Sequence, residues 1–123
     1  MPILVAVDDL LFSSKIRATA KQLGLDVQFA RTQEEILAQA RTLDPALVIF
    51  DLNSAKIDAV AAIAALKAAS DSSRTRIVAF ASHVHTALIA AARQAGADDV
   101  MPRSMFAAHL ADVLASPPAP AAE

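Results

Sequence analysis

The sequence contains no cysteine, tryptophan or tyrosine, and only two glycines. The lack of cysteine excludes disulfides, thiolate metal sites and cysteine nucleophiles, and it agrees with a reducing compartment. Two glycines are too few for a glycine-rich phosphate-binding loop. The aromatic fraction of 4% consists of phenylalanine alone, which leaves no stacking platform for single-stranded nucleic acid. The core must therefore be mainly aliphatic.

Long apolar runs and basic clusters are also missing. Although 55% of the residues are hydrophobic, much of this is alanine, and no apolar run approaches the roughly 18 residues of a membrane span. No basic stretch precedes an apolar one at the amino terminus, so we expect no secretory signal. The net charge of −2 and the scattered basic residues argue against direct binding to nucleic acid. We expect a cytoplasmic protein without direct nucleic-acid or membrane contacts.

Short apolar runs alternate with amphipathic stretches five times along the 123 residues. Strands are predicted over 3–7, 25–30, 46–50, 77–81 and 99–101, and helices over 10–23, 58–69, 86–95 and 105–115, with a second helix in the stretch from Thr32 to Leu43. This alternation predicts one α/β domain over 1–115, a doubly wound parallel sheet with helices on both faces. The proline- and alanine-rich tail, 116–123, is expected to be disordered because it has little apolar surface to dock.

Helix-end signals and apolar spacing refine this prediction. Thr32 and Glu35 fit a capping box, Gly24 and Gly96 fit helix stops, and Ser104 is the expected N-cap of the last helix. The residues expected to face the core are Leu11, Ile16, Ala20 and Leu23 in the first helix, Ile36, Leu37, Ala40 and Leu43 in the second, Val60, Ile63 and Leu66 in the third, and Ala87, Leu88, Ala91, Ala92 and Ala95 in the fourth.

Polar side chains follow the predicted strands at their carboxyl ends, where such sheets bind ligands. Asp8 and Asp9 follow the first strand, Asp51 the third, Ser82 the fourth, and Arg103 the fifth. Three neighbouring carboxylates repel one another unless a cation intervenes, and a set of oxygen ligands without histidine or cysteine favours Mg²⁺ over zinc. Asp51 could attack a phosphoryl donor to give an acyl phosphate, with Ser82 and Arg103 holding the phosphoryl oxygens.

These motifs, ILVAVDD, VIFDLN, IVAFASH and GADDVMPRSMF in that order, resemble the response-regulator receiver domain of two-component signalling, over residues 3–114. The resemblance implies a chemotaxis-type, flavodoxin-like (βα)5 fold with strand order 2-1-3-4-5. It makes Asp51 the phospho-acceptor and Ser82 the switch hydroxyl, and it places Arg103 where the family has lysine. It also implies Mg²⁺ on Asp8, Asp9, Asp51 and the backbone carbonyl of Asn53.

The function that the resemblance implies is a stand-alone module in a phosphorelay. A histidine kinase or phosphotransfer protein would phosphorylate Asp51, and the output would pass by contact with a downstream protein through the surface around the fourth helix, the fourth and fifth strands and the fifth helix. The module would not be an enzyme beyond catalysing its own phosphorylation and dephosphorylation, and we expect a monomer or weak homodimer.

Several positions depart from the family pattern. Ser54, Ala55 and Ala59 stand where the family usually has a Met-Pro pair and then a glycine in the loop after the acceptor. Ser104 replaces a proline joined by a cis bond, and we expect a trans bond there, because cis without proline costs about 3–4 kcal/mol. Arg103 replaces a compact ammonium with a planar fork. His83 stands where a small residue usually admits the phosphodonor, and Val100 replaces the aromatic switch residue.

Simpler interpretations of the same residues remain open. Asp8 and Asp9 could be an N-cap pair, Asp51 a surface acid at a strand end, Ser82 a turn cap and Arg103 a surface ion-pair partner. The two histidines His83 and His85 are most simply a loop pair, and His109 is expected to face solvent. Alanines on the fourth helix could leave a flat apolar surface for a partner.

Two other functions compete with phosphoryl acceptance. A pseudo-receiver would keep the fold but bind partners constitutively, with Arg103 in a permanent salt bridge to Asp51 or Asp8. An enzyme or cofactor carrier on a flavodoxin-like sheet is disfavoured, since the sequence has neither a glycine-rich phosphate loop nor a cobalamin-binding signature.

Overall fold

The computed structural model describes residues 2–43, 45–54, 57–68, 75–82 and 86–115. Five parallel strands form one sheet in the order β2-β1-β3-β4-β5, which confirms the predicted fold class and strand order. The strands are β1 (Ile3–Ala6), β2 (Val27–Phe29), β3 (Leu47–Asp51), β4 (Arg76–Ala81) and β5 (Asp99–Pro102). The helices are α1 (Leu10–Leu23), α2 (Gln33–Leu43), α3 (Ala59–Ala68), α4 (Thr86–Ala95), α5 (Arg103–Ala108) and α6 (Leu110–Leu114).

Some predictions fall outside the described residues. These are the tail 116–123, the histidines His83 and His85, and Ala55 in the loop after β3. Within the described residues, no helix has the length and apolar character needed to cross a membrane.

Side chains of the central strands alternate between two separate cores, as the pleat requires. We call the side packed against α2, α3 and α4 the aliphatic face; it contains Leu4, Ala6, Val48, Phe50, Ile77, Ala79 and Ala81 from the strands. We call the side packed against α1, α5 and α6 the aromatic face; it contains Ile3, Val5, Leu47, Ile49, Val78 and Phe80. Asp51 has the strand parity of Leu47 and Ile49, so its side chain points to the aromatic face.

The helix-end signals are largely confirmed. The helix α1 spans the predicted residues and ends at Gly24, which adopts the left-handed conformation at φ 71° that glycine permits. The Thr32 hydroxyl accepts a hydrogen bond from the backbone N–H of Glu35 at 3.1 Å, as a capping residue should. The helix α4 also has its predicted bounds.

Three of the residues predicted to face the core are exposed: Leu11, Leu23 and Ala87. Leu11 is 79% exposed, whereas Phe12 is buried and forms the inward stripe with Ile16 and Ala20. These three are spaced by four residues, and Leu11 lies about 100° away around the helix from Phe12. On α4, Ala87 is exposed and only Ala92 is fully buried.

The last helix also differs from its prediction. It starts at Arg103 with Pro102 as the N-cap residue, so the predicted N-cap Ser104 lies instead in the first turn. A break at His109 divides the predicted helix into α5 and α6. Because α5 follows β5 directly, the strand end fixes the position of the Arg103 backbone next to the carboxyl edge of the sheet. No peptide bond in the described residues is cis, so the bond from Arg103 to Ser104 is trans as expected.

Candidate functional site

The three aspartates meet because β1 and β3 are neighbours in the sheet. Ala6 pairs with Phe50, so the chain after β1 and the end of β3 leave the sheet side by side. Asp8 and Asp9 follow β1 and are partly exposed, whereas Asp51 is the last residue of β3 and only 3% exposed. This burial excludes the interpretation of Asp51 as an ordinary surface acid.

Each carboxylate oxygen of Asp51 has a donor. The backbone N–H of Asn53 donates to Oδ1 at 2.9 Å, and Nη2 of Arg103 donates to Oδ2 at 3.3 Å. Burial raises the pKa of Asp51, and the nearby Asp8 and Asp9 charges also raise it. The Asn53 hydrogen bond and the Arg103 charge lower the pKa but do not offset the desolvation.

Arg103 bridges two of the three acids. Its Nη1 lies 3.7 Å from Oδ2 of Asp9, in addition to its contact with Asp51. The guanidinium carbon lies 5.3 Å from the ring centroid of Phe12 and 5.6 Å from that of Phe80, within the range of cation–π attraction. Arg103 therefore is not simply a surface ion-pair partner, and its partners are Asp51 and Asp9.

Asp8 and Asp9 also accept hydrogen bonds from the chain itself. Oδ1 of Asp9 accepts hydrogen bonds from the backbone N–H groups of Leu11, at 2.9 Å, and Phe12, at 3.2 Å. The N-cap interpretation thus holds for Asp9, which caps α1 and pairs with Arg103 at once. Asp8 has another partner, because the Ser54 hydroxyl donates to its Oδ2 at 3.0 Å.

Ser82 and Asn53 link the ends of β3 and β4. The backbone N–H of Ser82 donates to Oδ1 of Asn53 at 2.8 Å. The resemblance implied a role only for the Asn53 backbone carbonyl, so this side-chain role was missed. It positions Ser82, half-buried, at the same sheet edge as Asp51.

Three of the five phenylalanines form a cluster beneath the site. The ring centroids of Phe80 and Phe106 are 4.4 Å apart, those of Phe12 and Phe80 are 5.0 Å apart, and those of Phe12 and Phe106 are 5.6 Å apart. The sequence analysis did not identify this cluster. A usable signal was present, because Phe12, Phe80 and Phe106 lie within three residues of Asp9, Ser82 and Arg103 respectively.

The donor set suits Mg²⁺ in its chemistry, since it offers carboxylate and carbonyl oxygens without nitrogen or sulfur. The positions of these oxygens fit a metal ion less well than their chemistry does. In the part of the chain that the structure describes, no three acidic or histidine side chains converge closely enough to hold a metal ion. Asp9 and Asp51 face Arg103, and Asp8 faces Ser54.

Two further predicted positions lie away from the acids. Val100 in β5 is partly buried and packs against the aliphatic face. His109 is exposed as predicted, and its Nδ1 lies 3.8 Å from Oδ2 of Asp112 on the protein surface.

Strand order, site position and the three acids together define a flavodoxin-like α/β domain with an acidic site at its topological switch point. The family model described as "Response regulator receiver domain" matches residues 3–115, and the chain belongs to this family. Receiver domains are signalling modules of two-component systems and are generally not enzymes.

Solved structures share this fold. A response regulator from Hahella chejuensis has a TM-score of 0.81 at 18% identity, with 92% of this chain and 91% of that chain covered. A receiver domain from Bermanella marisrubri has a TM-score of 0.78 at 25% identity, with 90% and 92% covered. A search of curated proteins gave no significant match.

A third structure concerns the metal. The receiver domain of the sensor histidine kinase PA1611 from Pseudomonas aeruginosa PAO1 has a TM-score of 0.79 at 20% identity, covering 92% of this chain and 93% of that chain. That receiver domain has a magnesium ion coordinated in its active-site cleft.

Proposed function

We propose that this receiver domain accepts a phosphoryl group on Asp51 from the phosphohistidine of a histidine kinase or phosphotransfer protein. The observation that carries the proposal is the buried carboxylate of Asp51 at the end of a central strand, with Oδ2 contacting Arg103 at 3.3 Å. A nucleophile on a rigid strand end, with a fixed cation beside it, suits transfer of an anionic group.

In the transfer, an Asp51 oxygen attacks phosphorus, a P–O bond forms, and the P–N bond of the donor breaks. The donor imidazole leaves with the electron pair of that bond. Arg103 would hold a phosphoryl oxygen, and the Ser82 hydroxyl would bind another. Asp8, Asp9, Asp51 and the Asn53 carbonyl would hold Mg²⁺, which when bound offsets the negative charge of the transferred group.

The partners follow from this chemistry. The donor is a protein that carries a phosphohistidine, and the output is a protein contact. The stand-alone role, the chemotaxis-type subtype, the cytoplasmic location, the tail 116–123 and the monomeric or weakly dimeric state stay predictions of the sequence.

The test is incubation with a small phosphodonor, such as acetyl phosphate, and Mg²⁺, followed by intact-mass analysis. We expect the wild type to gain the mass of one phosphoryl group and to bind beryllofluoride. Binding is followed by fluorine NMR, because the protein has no tryptophan for a fluorescence readout. Asp51→Asn should do neither, whereas Asp26→Asn, which changes an exposed carboxylate, should behave as the wild type does. Equal responses of the wild type and Asp51→Asn would refute the proposal.

A second candidate is a pseudo-receiver that no longer transfers phosphate. The observation that favours it is the contact of Arg103 with both Asp9 and Asp51, which already balances part of the acidic charge. This candidate predicts no mass gain in the wild type and no Mg²⁺ affinity in the millimolar range. Calorimetric detection of metal binding in that range would count against it.

A further inference from the structure

The guanidinium of Arg103 lies between two carboxylates that a metal site would also need. Its Nη2 is 3.3 Å from Oδ2 of Asp51, and its Nη1 is 3.7 Å from Oδ2 of Asp9. Asp9 follows β1 as the N-cap of α1, and Asp51 is the last residue of β3, so one planar group joins the chain after β1 to the end of β3. A lysine ammonium is a compact point charge and lacks this two-pronged reach.

The position of the guanidinium is fixed by more than its charge. It lies over the rings of Phe12 and Phe80, and both rings belong to the buried phenylalanine cluster. Its Nε atom is buried and, among the described residues, has no hydrogen-bond partner. Arg103 also begins α5 immediately after β5, which restricts its backbone. Ring contact, burial and backbone position thus hold the fork at the acids.

The third acid, Asp8, has a hydrogen-bond donor of its own. Oδ2 of Asp8 accepts a hydrogen bond from Ser54, and the Ser54 hydroxyl also accepts one from the backbone N–H of Ile57 at 3.3 Å. Each of the three acids thus has at least one donor from the chain itself, although Arg103 is the one cation among these donors.

We propose that Arg103 is an internal counter-ion that competes with a divalent cation for Asp9 and Asp51. The inference deepens the proposed function and rests on it for the identity of the metal ligands. The arginine-paired pocket is one state, and the metal-loaded pocket is a second state in which the guanidinium has left at least one of the two carboxylates. The family's usual lysine would leave the same oxygens more accessible.

The test is isothermal titration of Mg²⁺ into the wild type and into Arg103→Lys, which keeps the charge but removes the planar fork. We expect the Lys variant to bind Mg²⁺ about tenfold more tightly, which corresponds to about 1.4 kcal/mol. Removing the charge altogether would attract a cation by simple electrostatics, so a neutral variant would not decide the question.

The matched control is Arg17→Lys. The guanidinium carbon of Arg17 lies 4.6 Å from the ring centroid of Phe29. Arg17→Lys therefore makes the same change to an arginine that lies over a phenylalanine ring, but away from the three acids. We expect the affinity of this variant to equal that of the wild type. Competition is refuted if Arg103→Lys binds within about threefold of the wild type, if both variants tighten equally, or if no variant binds Mg²⁺.

A second measurement does not depend on the Lys variant folding. In nitrogen-15 NMR of the wild type, saturating Mg²⁺ should shift the Nε–H signal of Arg103 and leave that of Arg17 in place. An unmoved Arg103 signal at metal saturation would contradict the competition. Phosphorylation of Asp51 is measured separately by mass. The proposed phosphoryl transfer and the proposed competition of Arg103 with Mg²⁺ can therefore fail independently of each other.

Discussion

The two faces of the sheet are built differently and do different work. The aliphatic face is packed by branched aliphatic side chains and alanines from α2, α3 and α4, with Phe50 as its one fully buried aromatic among the described residues. The aromatic face carries the stacked rings of Phe12, Phe80 and Phe106, and Arg103 lies on the first two. On the aliphatic face, we expect packing to contribute to stability alone. On the aromatic face, the same rings that fill the core also position a charge at the site.

Mutations on the two faces that lower the free energy of unfolding equally therefore need not have equal effects on the site. A core residue on the aromatic face can change the pocket without touching an acid, because it supports Arg103. The predictions below pair one change on each face, or one change with its control, and separate stability from metal binding.

The largest expected effect is from truncation of the cores. Phe80→Ala on the aromatic face should lower the free energy of unfolding by about 3–5 kcal/mol, and Ile63→Ala on the aliphatic face by about 2–5 kcal/mol. Both side chains are fully buried. Chemical denaturation followed by circular dichroism measures the losses.

Metal binding then separates the pair. Phe80→Leu, a milder change, should alter Mg²⁺ affinity in calorimetry because the guanidinium loses a supporting ring, whereas Ile63→Ala should leave that affinity unchanged. An equal change of Mg²⁺ affinity in both variants would show that the two faces are equally coupled to the site, which would contradict the difference between them.

A smaller effect is expected from the buried charge of Asp51. Because burial raises the pKa of Asp51 in the folded state, the folded protein holds this proton more tightly than the unfolded chain does. Ionisation of Asp51 therefore lowers stability as the pH rises above about 3.8, the ordinary aspartate value. Asp51→Asn should be more stable than the wild type near neutral pH by about 1 kcal/mol, or about 4 °C in Tm.

The stability difference between the wild type and Asp51→Asn should shrink as the pH falls, and it should vanish below the ordinary aspartate pKa. Thermal unfolding across this pH range, with a chelator present to remove divalent ions, measures it. A gap that is constant with pH, or a less stable Asn variant at neutral pH, would show that the contact with Arg103 outweighs the desolvation of the carboxylate.

The smallest effects concern two helix caps. Asp9→Ala and Thr32→Ala each remove an N-cap side chain, from α1 and α2 respectively, and each should cost about 1 kcal/mol. Asp9→Asn should restore the cap and the stability but not the charge. We therefore expect Mg²⁺ affinity to fall in both Asp9 variants and to stay unchanged in Thr32→Ala. Equal stability and equal affinity across the three variants would contradict a separate role of Asp9 at the site.

The sequence by itself determined the fold class, the strand order implied by the family resemblance, and the candidate residues. Five apolar runs that alternate with helices predict the fold class, because buried parallel strands must be apolar, and polar residues shortly after four of them mark the shared carboxyl edge. The strand order came from the family resemblance. The bounds of α1 and α4 followed from local signals, since glycine stops act within a few residues.

Only the tertiary structure decided how the site residues are paired. The choice of Asp9 over Asp8 by Arg103, the bond from Ser54 to Asp8 and the burial of Phe12 in place of Leu11 depend on distances between segments far apart in the chain. Local propensity carries no information about such distances, and a planar guanidinium contacts whichever carboxylates and rings the packing brings within reach. The three acids could thus be found in the sequence, but the internal counter-ion between two of them could not.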